Sequence, residues 1–168
     1  FLMFQGFFIP GLVSFLVAHL FYVALFKSGQ AWFPHRGALA ATLGIGTAMY
    51  AFLWTSGLPP ALRAPVAAYV LVIALMAAQA IGRATVLRDA ASLCVAIGAG
   101  FFMLSDSLLA TNRFVTPLPM AQVWVLATYY AAQALIVAGM LRGTARAEPS
   151  SATPLTPQTD LARSPSAA

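Results

Sequence analysis

Ala90–Ala110 reads AASLCVAIGAGFFMLSDSLLA, and this stretch decides the fold. Its 21 residues carry a single charged side chain, Asp106. A helix of that length rises about 30 Å, the thickness of a bilayer's hydrocarbon core. The stretch is too long and too apolar for an ordinary soluble core helix, so it reads as a membrane span. Working outward, four further segments have the same character: Phe7–Phe26, Gly37–Ser56, Pro65–Ile81 and Met120–Leu141. Polar or breaker-rich connectors separate them: KSGQAWFPHR (27–36), GLPPALRA (57–64), GRATVLRD (82–89) and TNRFVTPLP (111–119). Pro10 falls in the first turn of the first span, where a missing N–H costs little.

Composition agrees. Apolar residues make up 61% of the chain and charged residues 8%, against roughly 25% charged in a soluble domain. The expected fold is an all-α, polytopic transmembrane helical bundle. A net charge of +5 would suit nucleic acid, but the basic residues sit in short connectors and in the tail, where membrane topology accounts for them. One side of the bundle collects Lys27, Arg36, Arg83, Arg88, Arg142 and Arg146, and the other Arg63 and Arg113. The positive-inside rule then places the C-terminus in the cytoplasm, in the inner (cell) membrane of a bacterium. The segment 142–168 is rich in Ala, Ser, Thr and Pro and reads as a disordered cytoplasmic tail. The opening FLMFQG lacks the basic start and cleavage site of a signal peptide. It reads as the end of a helix that starts upstream.

Cys94 is the one cysteine, which excludes an internal disulfide and a cysteine metal site. With two histidines and few carboxylates, no metal and no cofactor are expected. Gly-rich phosphate loops, GxSxG and HExxH are not present. Small residues along the spans (Gly44, Gly46, Ala74, Ala78, Gly98, Gly100) suit close helix packing in lipid. His35 lies in a basic connector and is expected to be solvated.

The candidate site residues are the polar groups inside the spans. Asp106 is the clearest, because a carboxyl in lipid must be protonated, paired or facing water, and a protonated carboxyl is a general acid. It lies near the depth of Tyr69 and Trp124. His19 and Tyr22 are three apart and share a helix face, as do Tyr129 and Gln133, four apart. Ser105 is adjacent to Asp106 and is expected to orient it. Interhelical hydrogen bonding is the ordinary role for such residues. A polar column joining them would equally suit catalysis or a transport path.

GLVSFLVAHLFYVALF (Gly11–Phe26), GAGFFMLSDSLLATNRF (Gly98–Phe114) and TYYAAQALI (Thr128–Ile136) together resemble the YhhN-like family, which includes the mammalian lysoplasmalogenases. AYVLVIALMAAQA (Ala68–Ala80) fits the same pattern more loosely. The resemblance implies an eight-span protein, of which these would be the last five. It also implies hydrolysis of the vinyl-ether bond of a lysoplasmalogen-type lysophospholipid, releasing a fatty aldehyde and a glycerophospho-base. On that reading Asp106 is a catalytic carboxylate, with a second one in a Gly-Asp pair upstream of this sequence. His19, Tyr22, Ser105, Tyr129 and Gln133 would line or support the site. The competing expectation is a membrane transporter or lipid-binding protein that uses the same polar groups. Either way the partners are an ether lipid or lysophospholipid and the bilayer.

Overall fold

Helix breakers and caps set where each helix begins and ends. A computed structural model describes residues 8–147, with side chains described for 10–145. These residues form α1 (Phe8–Lys27), α2 (Arg36–Thr55), α3 (Pro60–Leu87), α4 (Ala90–Phe114) and α5 (Ala121–Ala147). All five are long and apolar enough to cross a membrane. Gly29, at φ +70°, turns the chain out of α1 at no steric cost. His35 then caps α2, its Nδ1 accepting from the Ala38 N–H at 2.9 Å. His35 is exposed, as its place in a connector led one to expect, and its ring also satisfies one of the orphan donors of a helix start. Gly57 at φ +98° turns the chain out of α2, and Pro60 opens α3 at its first position. Arg88, in the left-handed conformation, closes α3, and Asp89 caps α4 by accepting from the Ser92 N–H at 2.7 Å. That bond holds the Asp89 carboxyl below the usual carboxylate range.

The helices overrun the expected membrane segments. α3 begins at Pro60 and ends at Leu87 rather than 65–81, α4 continues to Phe114, and α5 carries helix through Ala147. At 28 residues α3 is about 42 Å long, so its ends reach past a hydrocarbon core of ~30 Å. The remainder of the tail and the opening FLMFQG lie outside the described residues.

α3 is the hub. α1, α2 and α4 all pack on it, and α5 packs along α4. Its buried residues Ile73, Ala74, Met76, Ala77, Ala78, Gln79 and Ala80 show why: mostly small side chains let three neighbours approach. The tightest seam is α4–α5. A Cβ at Gly98 would come within 2.8 Å of Ile136 Cγ1 and 2.9 Å of the Ala132 carbonyl, and one at Gly139 within 2.6 Å of the Ala91 carbonyl. α1 meets α4 and α5 differently, through Phe15, His19, Tyr22, Phe102 and Tyr129, whose rings span the wider gap. The outer surface is apolar, with Phe21 71% and Leu141 64% exposed. Water would make such a surface a continuous aggregation patch; lipid solvates it.

Candidate active site

Two polar pairs form inside the bundle where the sequence suggested one column. In the first, the Tyr69 hydroxyl of α3 donates to Asp106 Oδ2 of α4 at 3.2 Å. Tyr69 is buried with Leu12 and Ile73, and this packing fixes its ring. In the second, the Tyr22 hydroxyl of α1 donates to Gln133 Oε1 of α5 at 2.6 Å. Fully buried His19 lies between them, with ring centroids 5.6 Å from Tyr69, 4.5 Å from Phe102 and 6.3 Å from Tyr22. Its Nδ1 sits 2.6 Å from the Phe15 carbonyl. A carbonyl only accepts, so Nδ1 carries the hydrogen and Nε2 is an acceptor in the neutral ring. That Nε2 is buried with no hydrogen-bond partner among the described residues.

Asp106 is half-buried, at the wall of a cleft that opens to the surroundings. Apart from Asp106, Ser107 and Tyr69 its lining is apolar, including Leu12, Ile45, Met49, Leu53, Ile73 and Phe114. Counting helix rise from the ends of α2 and α4, Asp106 lies about 12 Å from the end of the bundle made by the α2–α3 and α4–α5 connections.

The other candidate residues divide. Tyr129 packs its ring on Phe102 at 5.5 Å and Phe15 at 5.8 Å, joining the two pairs through aromatic contact. Ser105 does not orient Asp106. It points to the opposite side of α4 and donates to the Val125 carbonyl of α5 at 3.0 Å. The reason is helical: consecutive side chains diverge by about 100°. Sequence reasoning placed Tyr69 at the right depth but did not include it in the site. Gln79, which nothing in the sequence marks out, is fully buried and holds the α1–α2 connection, accepting from Phe33 N–H at 2.8 Å and donating to the Ala31 carbonyl at 3.0 Å. Among the described residues no three His, Cys, Asp or Glu side chains cluster as metal ligands would.

Five long apolar helices with a lipid-compatible surface, enclosing a phenol–carboxyl pair at an apolar cleft, define a polytopic integral membrane protein. It belongs to the YhhN family, whose model matches residues 1–140. It is similar to human lysoplasmalogenase TMEM86B, at 34% identity over 135 residues covering 80% of this chain and 54% of the relative. It also resembles human lysoplasmalogenase TMEM86A (33% over 138 residues, 79% and 55%) and the lysoplasmalogenase of Mycobacterium tuberculosis (30% over 140 residues, 81% and 52%). The chain thus spans about half the length of the curated relatives it matches. No solved structure gives a significant match.

Proposed function

We propose that the complete protein is an intramembrane hydrolase that cleaves the vinyl-ether bond of a lysoplasmalogen-type lysophospholipid. The observation that carries the reading is the Tyr69–Asp106 pair at the wall of an apolar cleft, in a chain whose relatives are named lysoplasmalogenases. Cleavage begins when protonated Asp106 delivers its proton to the β-carbon of the vinyl ether. The carbon bonded to oxygen becomes an oxocarbenium ion, and Asp106 is left as a carboxylate. The Tyr69 hydroxyl stabilises that charge, since a hydrogen bond to an ionised acceptor is roughly twice as strong as a neutral one. Water adds to the oxocarbenium carbon and gives up a proton to the Asp106 carboxylate, which lies at the cleft wall. The resulting hemiacetal loses its glycerol oxygen as an alcohol. One water is consumed, the products are a fatty aldehyde and a glycerophospho-base, and the proton returns to the carboxyl.

The same reading sets the orientation. Six basic residues near one end of the helices against Arg63 and Arg113 at the other support a cytoplasmic C-terminal tail, with the Asp106 cleft in the outer half of the cell membrane. The test is aldehyde release from a lysoplasmalogen by purified full-length protein. Asp106→Asn is expected to lower turnover by about 10²–10⁴-fold with the fold intact, the usual contribution of a general acid. Tyr69→Phe is expected to lower it by roughly tenfold, one charge-assisted hydrogen bond. An Asp106→Asn protein with wild-type turnover would remove the assignment. Lipid binding by the wild type without aldehyde would point instead to a carrier or transport role.

A further inference from the structure

The cleft beside Asp106 has a direction as well as a volume. α2 and α4 both pack along α3 but barely touch each other, so the space between them is walled by α3 behind and flanked by two helices. Its lining on α2 runs from Ile45 to Leu53 and on α4 from Met103 to Phe114. Ile45 lies ten residues from the end of α2 and Met103 eleven from the end of α4. At 1.5 Å per residue the cleft is therefore about 15–16 Å deep, half of a ~30 Å hydrocarbon core, or one leaflet. Among the described residues nothing covers its deep end: Ile45 lines the cleft and is also 58% exposed on the outer surface.

We propose that the α2–α4 seam is a lateral slot for the single hydrocarbon chain of the lipid substrate, entered sideways from the bilayer past Ile45. The proposal rests on the lipid-hydrolase reading and adds to it the route and the part of the molecule that reads the chain. Apart from three polar groups, the lining from Leu53 and Phe114 to Ile45 and Met103 is apolar. The polar groups of the slot, Asp106, Ser107 and the Tyr69 hydroxyl, stand at one level of its wall. A lipid whose vinyl ether meets the carboxyl therefore sends its chain past Met103 and Ile45 into the bilayer. The slot is lined by α2, α3 and α4 with Leu12 of α1, and it takes one chain.

The experiment uses the full-length protein in detergent and in vesicles with two readouts. First, a lysophosphatidylcholine carrying a photoactivatable diazirine in its chain is cross-linked, and the labelled peptides are mapped. The expected labels fall within residues 45–53 and 103–114, and a single-chain lipid competes while its two-chain counterpart does not. Labels spread over the exposed faces of α1 and α5, or equal competition by the two-chain lipid, overturn the slot. Second, kcat/KM is measured for long-chain and short-chain alkenyl lysolipids. Ile45→Trp is expected to lower the long-chain value by roughly tenfold or more while leaving the short-chain value within about twofold. Leu20→Trp, exposed on α1 away from the cleft, is expected to change neither. An Ile45→Trp protein that loses both substrates equally, or neither, refutes the entry route. The two readings fail separately: slot labelling without aldehyde from any lysolipid keeps the slot and removes the hydrolase, whereas aldehyde release with labels elsewhere does the reverse.

Discussion

Gln79 has no exposed surface, and both ends of its amide are in use on the backbone of the α1–α2 connection. Replacing it by leucine preserves volume but leaves the Phe33 N–H and the Ala31 carbonyl without their partner. A buried polar group left unpaired costs about 1–3 kcal/mol. Gln79→Leu is therefore expected to destabilise the protein by roughly 2–4 kcal/mol for the two groups together, read as a lowered unfolding midpoint in detergent, and Gln79→Glu, which keeps an acceptor but not the amide donor, by less. A smaller loss for leucine than for glutamate would contradict the clamp. At this scale the sequence was only partly legible. Asp106 and His19 announce themselves because charge and imidazole are out of place in lipid. Tyr69 and Gln79 do not, since a tyrosine or glutamine in a span is ordinary and what distinguishes these two is a partner 37 or 46 residues away. Ser105 shows the opposite error: adjacency in sequence suggested a contact that helical geometry forbids.

At the scale of elements, the small residues of α4 and α5 are not equivalent, although the sequence presents them alike. Gly98 and Gly139 face the partner helix at distances where a Cβ would strike backbone oxygens. Gly100, two residues from Gly98, has nothing within 4 Å of an added Cβ. Gly98→Ala and Gly139→Ala must separate the pair and are expected to destabilise by about 1–3 kcal/mol, the range for overpacking. Gly100→Ala removes a flexible helical residue without a clash and is expected to stabilise by roughly 0.5–1 kcal/mol. Thermal unfolding of the three variants tests the contrast, and equal effects at Gly98 and Gly100 would contradict the seam. Composition made all five helices legible, because about twenty apolar residues in a row have few other uses. Their ends were less so. Caps such as His35 and Asp89, and the continuation of α3 and α5 into the polar layer, depend on backbone geometry that hydropathy does not register.

For the whole molecule, the distribution of basic residues makes the orientation testable. With Cys94, the single thiol, replaced by alanine, a cysteine introduced at Ser150 is expected to react with a membrane-impermeant maleimide in inside-out vesicles only. One at Ser56, in the α2–α3 connection, is expected to react in right-side-out vesicles only. The reverse pattern would move the Asp106 cleft to the cytoplasmic leaflet. The five helices also differ in how firmly they are held. α4 and α5 are joined backbone to backbone, and α2 closes on α3 at Gly46, where an added Cβ would meet Val70 at 3.2 Å. α1 has close backbone packing with α3 only and reaches α4 and α5 through rings and the Tyr22–Gln133 bond. Cooperative opening follows such differences in contact density. The position of the His19 ring therefore depends on those ring contacts and on the Tyr22–Gln133 bond, since no close backbone packing ties α1 to α4 or α5 among the described residues.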